Sequence, residues 1–400
     1  MDWSPQQEKA LRGIQNWLRL PLETAPQIVR LFGYAGTGKS TLAREINDMV
    51  HGEALACAFT GKAASVMARK GLPNASTVHR LIYTPVGDGK ARVKELEEEL
   101  RLLERVEDRS EALHKRIMAV RRSLDEARRN QGPQFVLKEA STVQSAPLVI
   151  LDECSMVGDR MAEDLLSFGT RILVLGDPAQ LPPVRGTGYF IEAQPDHMLT
   201  EVHRQAKGDP IIEIATRIRE GLPVPAGTYG QTRVIDGRIG ADDAISHDQV
   251  LTGTNDRRRA INRRHREIAG HSGLPKAGER LVCLKNNHQL GLLNGTLWDL
   301  QQDCPEPDEG VAHIRIVPEE GGAELGVPVE VDLFEDDSSK LPWGAKEQFT
   351  YGYCLTVHKS QGSQWDNVLL FDDWPRAESK RNWLYTGVTR AATRLTLVRG

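Results

Sequence analysis

The chain has 400 residues, more than one hydrophobic core organises, so two core domains with insertions are expected. Its 40% hydrophobic and 26% charged residues are ordinary for a water-soluble globular protein, and no run of about 18 apolar residues is present to cross a membrane. The net charge of −4 argues against a protein coated in basic surface for nucleic acid, but not against a local basic groove, because steering depends on distribution rather than on the sum.

The first residues, Met1-Asp2-Trp3-Ser4-Pro5, lack the basic start and apolar stretch of a signal peptide. Cys57, Cys154, Cys283, Cys304 and Cys354 are scattered, odd in number and without a C-x-x-C pair. Zinc and a disulfide framework are therefore not expected, and a reducing cytosol fits.

Residues 28–32, Ile-Val-Arg-Leu-Phe, read as a short buried strand. Gly33-Tyr34-Ala35-Gly36-Thr37-Gly38-Lys39-Ser40 follows, and Leu42, Ile46, Met49 and Val50 then mark one side of a helix. This is G-x-x-x-x-G-K-[ST] between a strand and a helix. Its glycines let backbone N–H groups close around a β-phosphate, and the helix start adds its positive dipole end. Lys39 is placed to neutralise the β- and γ-phosphates of ATP, and the Ser40 hydroxyl to bind Mg²⁺.

Residues 90–131 contain no Gly or Pro and are dense in Glu, Lys, Arg and Leu. Apolar residues at 93, 96, 100 and 103, then at 113, 117, 120 and 124, alternate steps of three and four, which is a coiled-coil seam. The register breaks near Glu107-Asp108-Arg109-Ser110-Glu111, where Asp108 and Glu111 suit a capping box. Two antiparallel helices are predicted, with one long helix carrying a stutter as the alternative.

Pro147-Leu148-Val149-Ile150-Leu151 is an apolar run of the kind found in a parallel strand buried on both faces, and it ends in Asp152-Glu153. Asp152 is placed to hold magnesium through water and Glu153 to activate the attacking water. Arg171-Ile172-Leu173-Val174-Leu175 reads as the next strand, and Gln180 beyond its end can reach a γ-phosphate. Farther on, the second insertion, about 276–345, is polar and strand-like. Asn294-Gly295 within it is a hairpin signal, and an acidic stretch runs from Glu330 to Asp337. A last strand is expected near Leu395-Thr396-Leu397-Val398, two residues before the chain stops, so no tail domain is expected.

Several of these segments together resemble the RecD/Dda-type branch of superfamily 1 helicases. Leu151-Asp152-Glu153-Cys154-Ser155-Met156 resembles that family's D-E-x-S-M signature, and Gly176-Asp177-Pro178-Ala179-Gln180-Leu181-Pro182-Pro183-Val184 its G-D-x-x-Q-L-P-P-V. Leu199-Thr200-Glu201-Val202-His203-Arg204-Gln205 is similar to the L-T-x-x-x-R-Q block that opens the second motor domain. Thr356-Val357-His358-Lys359-Ser360-Gln361-Gly362-Ser363 matches T-x-H-K-x-Q-G-x, and Tyr385-Thr386-Gly387-Val388-Thr389-Arg390-Ala391 matches Y-T-x-x-T-R-A. Ser4-Pro5-Gln6-Gln7-Glu8-Lys9-Ala10-Leu11 resembles the adenine-reading glutamine motif, with Gln7 in register. The matches come in the family's order and span residues 4–391.

The resemblance implies an α/β fold of two RecA-like parallel-sheet motor domains. The first is expected over 1–84 and 141–192, with a helical insertion over 85–140; the second over 193–275 and 346–400, with an SH3-like β-barrel insertion over 276–345. Relatives carry a strand-separating β-hairpin where this chain has its helical insertion, which is therefore either the wedge or a protein-docking arm. ATP is expected on Gln7, Gly33, Tyr34, Ala35, Gly36, Thr37, Gly38, Lys39, Ser40, Thr41 and Gly362. Chemistry is expected from Lys39, Glu153, Gln180, Arg204 and Arg390, with Mg²⁺ on Ser40 and Asp152. The two arginines suit the work because a guanidinium brought from a separate body couples transition-state stabilisation to domain closure.

Phe59-Thr60-Gly61-Lys62-Ala63-Ala64 follows the second strand, and Ser76-Thr77-Val78-His79-Arg80 starts a short helix. In relatives both lie on the floor of the nucleic-acid groove, so Thr60, Lys62, His79, Thr356 and His358 are the expected contacts. Helix-start N–H groups and short hydroxyls suit phosphates without reading sequence. The expected partners are single-stranded DNA and tailed duplex DNA, with 5′-to-3′ movement, and a protein partner if 90–131 is a docking arm. The alternatives are an RNA helicase on the same scaffold, since nothing here reads a 2′-hydroxyl, and a nucleic-acid-stimulated ATPase that loads or remodels without unwinding.

Overall fold

Runs of β-branched and leucine side chains without polar interruption form strands buried on both faces, and Ile172–Gly176 is buried at every position. In the computed structural model, residues 3–86, 89–104, 113, 116–118, 120–121, 124, 134–182, 188–201, 208–287, 290–339 and 346–400 are described. Ile172–Gly176 lies inside a six-stranded sheet. From edge to edge the strands are Ser76–Thr77, Leu55–Ala58, Val149–Asp152, Ile172–Gly176, Ile28–Gly33 and His197–Leu199, with every pair parallel.

The helices Pro5–Arg19 and Lys39–Met49 pack Ile14, Trp17, Leu42 and Ile46 into one cluster with Leu31, Ile150 and Leu173. The strand His197–Leu199 lies past the boundary expected at residue 192. Its parallel register, Leu31 with His197 through Gly33 with Leu199, makes it the edge strand of this first sheet. The start of the L-T-x-x-x-R-Q block thus belongs to the first sheet, because the hydrogen bonds of that edge claim it.

A second six-stranded sheet runs Cys354–Thr356, Gln249–Thr252, Trp365–Asp372, Ala391–Arg399, Thr232–Asp236 and Gly227–Tyr229. All its pairs are parallel except the last. The helices Pro210–Glu220 and Lys380–Val388 bury Ile214, Ile218, Trp383 and Val388 with Leu251, Val368 and Leu397.

Five antiparallel strands form the third sheet, in the order Leu325–Glu330, Val311–Pro318, Leu297–Leu300, Arg280–Cys283 and Phe349–Tyr351. Along Val311–Pro318 burial alternates residue by residue, as in a sheet with one face on a core and one toward water. The strand Phe349–Tyr351 carries this sheet past the expected end at 345. Asn294-Gly295 does make a turn, closed by the Thr296 N–H donating to Leu293 O at 3.0 Å, with Gly295 at φ 86°. It ends a longer connection rather than a two-residue hairpin.

Helix Asn255–Ile268 anchors this sheet to the second one. Arg266 donates to both carboxylate oxygens of the fully buried Glu279, at 2.8 and 3.1 Å. Asp337, from the acidic stretch, pairs with Arg258 and with Arg259 at 3.2 Å. Part of the acidity that the sequence displays is therefore neutralised inside the fold.

All three sheets lie in a unit made of Met1–Leu81, Thr142–Ser339 and Lys346–Gly400, and a second unit comprises Ile82–Ser141 and Lys340–Ala345. In the second, Tyr83–Val86 pairs antiparallel with Gln134–Leu137, and helix Gly89–Glu104 follows the first strand. Leu96 shares a buried cluster with Val120 and Leu124, and Arg116 reaches Glu99 at 3.0 Å. One straight helix, rising about 1.5 Å per residue, would hold Leu96 and Val120 about 36 Å apart. The break expected at Glu107 to Glu111 lies outside the described residues. Among the described residues no helix is long and apolar enough to cross a membrane.

Candidate active site

The phosphate loop leaves the first sheet at Gly33, and helix Lys39–Met49 begins under Gly38, whose φ of 84° is left-handed. A side chain on Gly38 would hold a left-handed backbone and place its Cβ 2.6 Å from Gln7 Nε2, so glycine lets the Gln7 amide lie against the loop undisplaced. Lys39 Nζ donates to the carbonyls of Gly33 at 2.6 Å and Tyr34 at 3.1 Å, and the Thr37 hydroxyl to Tyr34 O at 2.8 Å. The loop is thus held in shape by its own side chains.

Gln7, which its motif places at the adenine, also braces the phosphate loop. It is buried beneath the loop, donating Nε2 to Thr37 O at 3.0 Å. Its Oε1 accepts from the Ser4 N–H at 3.0 Å, while the Ser4 hydroxyl accepts from the Gln7 N–H, completing a capping box. One Nε2 proton and one Oε1 lone pair brace loop and helix together.

Two cavities adjoin the loop. One of about 190 Å³ brings Lys39, Ser40, Asp152, Glu153, Gln180 and Arg390 to a single wall, with Ala35, Gly36 and Gly362 alongside. The other, about 530 Å³, opens over Tyr34, Thr37, Gly38 and Thr41. The six residues of the first come from four segments far apart in sequence. Lys70, which ends the helix Gly61–Arg69, lines both cavities.

Asp152 and Glu153 close a strand of the first sheet. Glu153 holds a left-handed conformation, φ 51° and ψ 45°, which costs a non-glycine residue about 1–2 kcal/mol. The turn brings its N–H to Asp152 Oδ1 at 2.8 Å and sets both side chains on the cavity wall. Burial raises both carboxyls above their usual range. At Glu153 the Arg390 and Lys39 charges oppose that rise while Asp152 adds to it; at Asp152 the Glu153 N–H and the charges of Lys39 and Lys70 oppose it.

The loop after Ile172–Gly176 is gripped by the second sheet's elements. Leu181 is buried among that sheet's core residues. Its N–H donates to Thr386 Oγ1 at 2.9 Å, and Gln361 Nε2 donates to its carbonyl at 3.2 Å. Asn382 Nδ2 donates to Ala179 O at 3.1 Å, and the Tyr385 hydroxyl donates to Asp177 Oδ2 at 2.7 Å. Between these grips Gln180 is buried on the cavity with its Oε1 unpartnered.

Arg390 is fixed through all three guanidinium nitrogens, to Thr386 O at 3.0 Å, Ser363 O at 3.1 Å and Thr389 Oγ1 at 3.2 Å. Arg219 lies over the Tyr34 ring, 3.7 Å from its centroid. Arg204 lies outside the described residues. Asn382, Tyr385 and Thr386 sit in or beside the Y-T-x-x-T-R-A motif, from which sequence reasoning took Arg390 alone.

The expected nucleic-acid residues differ in burial and in what they touch. Thr60 caps helix Gly61–Arg69, accepting from the Ala63 N–H at 3.2 Å. Lys62 is buried, 3.9 Å from Glu319 and under the Trp365 ring, and burial lowers its pKa. A turn of the third sheet covers it, so it does not front an open groove. Leu293, in the connection before strand Leu297–Leu300, abuts Gly61, where a Cβ would meet it at 2.7 Å.

His79 is half-buried, 5.8 Å from Phe59 edge to face, and Thr356 is buried, accepting from the Lys359 N–H at 3.3 Å. His358 is partly exposed, with its ring 5.0 Å from Trp374. Burial lowers the pKa of both histidines. Trp374 stacks on the buried Trp383 at 5.8 Å and carries Arg376 over its face. Sequence reasoning missed this half-exposed indole, though an aromatic in Asp373-Trp374-Pro375-Arg376, just past a strand end, was there to find.

Residues 6–236 match a family described as an AAA domain, and residues 351–398 match one described as a UvrD-like helicase C-terminal domain. An ATP-dependent RecD2 DNA helicase of Deinococcus radiodurans is 27% identical over 436 aligned positions, taking in 98% of this chain and 50% of the relative. The chain thus spans about half the length of the curated relative it matches. Among solved structures, a Pif1 helicase from Candida albicans superposes with a TM-score of 0.51 at 18% identity, over 99% of this chain and 94% of that one. A Pif1 helicase from Bacteroides, solved with ADP-AlF3 and single-stranded DNA, superposes with a TM-score of 0.53 at 16% identity, over 99% and 92%. At these identities the likeness establishes the fold.

Proposed function

This chain belongs to the family described as an AAA domain; we propose that it is a helicase of the RecD/Dda-like branch of superfamily 1, which hydrolyses ATP between its two six-stranded sheets and moves along single-stranded DNA from 5′ to 3′, separating a tailed duplex. The observation that carries the reading is the shared wall. Lys39, Ser40, Asp152 and Glu153 from one sheet meet Arg390 from the other on a cavity of about 190 Å³.

In this reading Lys39 neutralises the β- and γ-phosphates. The Glu153 carboxylate takes the proton of a water whose oxygen attacks the γ-phosphorus, and ADP leaves with the electrons of the broken bond. Arg390 stabilises the charge on the transferring group, a role Arg204 shares by resemblance. Gln180, with its free Oε1, orients that water or registers the γ-phosphate.

Ser40 and Asp152 suit Mg²⁺. Asp152 Oδ1 already accepts from the Glu153 N–H, which leaves its other oxygen for the ion or its water. Among the described residues no group of three or more His, Cys, Asp and Glu makes a protein-only cage. Magnesium commonly takes one or two protein oxygens and completes its shell with phosphate and water. Held by Ser40 and Asp152, it would supply positive charge to offset that of the nucleotide's phosphates.

The third sheet is read as an SH3-like barrel inserted in the second motor domain, and Ile82–Ser141 as a helical hairpin inserted in the first, acting as a wedge or a docking arm. The DNA contacts are assigned to Thr60, His79, Thr356 and His358, joined by the Trp374 indole, on which a base can stack. Strand displacement on duplexes tailed at either end tests the whole reading. Displacement of the 5′-tailed duplex alone is expected, with none by Lys39→Ala. Displacement by Lys39→Ala, or of neither duplex by the unaltered protein, would sink the proposal. ATP turnover stimulated more by RNA than by DNA would transfer the activity to RNA.

A further inference from the structure

The Tyr385 hydroxyl touches both halves of the proposed ATP site. It accepts from the Ala35 N–H of the phosphate loop at 3.0 Å and donates to Asp177 Oδ2 at 2.7 Å. The carboxylate can only accept, so the phenol proton must point to it, and the phenol lone pair is what remains for Ala35. The second oxygen of Asp177 accepts from the Ala179 N–H at 3.0 Å, one residue before Gln180. Tyr385 is itself buried at 1% exposure. One oxygen atom therefore links the phosphate loop, the Asp177–Leu181 loop and the helix Lys380–Val388.

That helix end is stiff. The Thr389 N–H donates to Tyr385 O at 3.0 Å, the Thr389 hydroxyl to Thr386 O at 2.9 Å, and Arg390 Nε to the same Thr386 carbonyl at 3.0 Å. A shift of the Tyr385 ring along its axis consequently carries the anchor of Arg390 with it. The N–H groups of this loop are those that would close around a β-phosphate. The Ala35 N–H, held by the phenol, belongs to the same loop.

We propose that Tyr385 is the positioning residue that couples occupancy of the phosphate loop to the placement of Arg390, through its paired hydrogen bonds to Ala35 and Asp177. The inference rests on the proposed ATP-driven motor and names the link that transmits within it. Removal of the phenol oxygen leaves the packing of the ring and uncouples the two sides.

The test is steady-state ATP turnover of Tyr385→Phe with and without single-stranded DNA. The ratio of DNA-stimulated to DNA-free kcat is expected to fall about tenfold, the scale of one lost hydrogen bond, while KM for ATP stays within about twofold. Asp177→Asn, which reverses the polarity of the same contact, is expected to lower the ratio by a similar factor, and the double variant by no more than the worse single one. Asp177→Asn carries the test if Tyr385→Phe does not fold. An unchanged ratio, an equal fall in both rates, or additive effects in the double variant overturn the inference. Absence of DNA stimulation in the unaltered protein would instead defeat the motor reading itself.

Discussion

One methyl group added at Gly362 probes whether the two sheets must close on each other during turnover. Gly362 has φ 76°, and a Cβ there would lie 2.8 Å from Ala63 Cβ, 3.3 Å from Ala63 Cα and 3.3 Å from Thr60 Oγ1. The left-handed backbone costs alanine about 1–2 kcal/mol relative to glycine, whether or not the cleft is shut. The contact adds about 1–3 kcal/mol, because Ala63 is buried at the start of helix Gly61–Arg69 and its Cβ cannot swing aside.

Gly270→Ala isolates the first contribution, since Gly270 has φ 74° and nothing within 4 Å of its Cβ position. Both variants should lose the backbone increment of thermal stability, and Gly362→Ala the contact increment in addition. Only Gly362→Ala should lose DNA-stimulated kcat, by about 5- to 150-fold if the crowding falls on closure. Melting curves and ATP turnover of the two proteins side by side decide it. Turnover of Gly362→Ala within twofold of Gly270→Ala would refute closure across this contact.

Glu153→Gln should bind ATP and fail to cleave it, as read by nucleotide binding against single-turnover phosphate release. A folded-state pKa raised by burial means that ionisation is disfavoured in the fold, so stability falls as pH rises from the unfolded value near 4.5. Glu153→Gln should therefore melt higher than the unaltered protein at neutral pH and lose that advantage near pH 4.5; a lower melting point at neutral pH contradicts the assignment. The acid limb of turnover should likewise lie above 4.5, because the carboxylate must be ionised to take a proton.

Trp374→Ala should weaken single-stranded DNA binding by about 5- to 150-fold, the scale of one base stack. Its salt slope should match that of the unaltered protein, because an indole carries no charge. A shallower slope would mean the loss came through phosphate contacts, and affinity flat from low to high salt would remove the groove altogether. Excision of residues 90–131 should be tolerated because Tyr83–Val86 and Gln134–Leu137 pair at its base. Unwinding lost with translocation intact is expected of a wedge, whereas intact unwinding assigns the segment to docking.

The sequence by itself determined the chemistry that is local to a few residues. Strand, glycine-rich loop and helix are contiguous from Ile28 to Met49, so steric limits on neighbouring residues suffice to specify the phosphate cradle. Apolar runs ending in Asp152-Glu153 and in the Gly176-Asp177 loop were legible for the same reason, since a strand buried on both faces has no polar alternation.

What lies between segments was not legible. Gln7 was read only for the base its motif contacts, and the approach of its helix to Thr37 adds a bracing role that spacing could not show. Lys62 looked like a phosphate contact until a turn of the third sheet brought Glu319 to it. Tyr385 sits in a motif read only for its arginine, although its hydroxyl joins Ala35 to Asp177. In each case a partner more than 25 residues away decides the role, and a chain read in order carries propensity and spacing but not which distant surface will exclude water from a given polar atom. Only the packed tertiary structure sets that burial, and burial decides whether the same side chain meets a ligand or holds the fold.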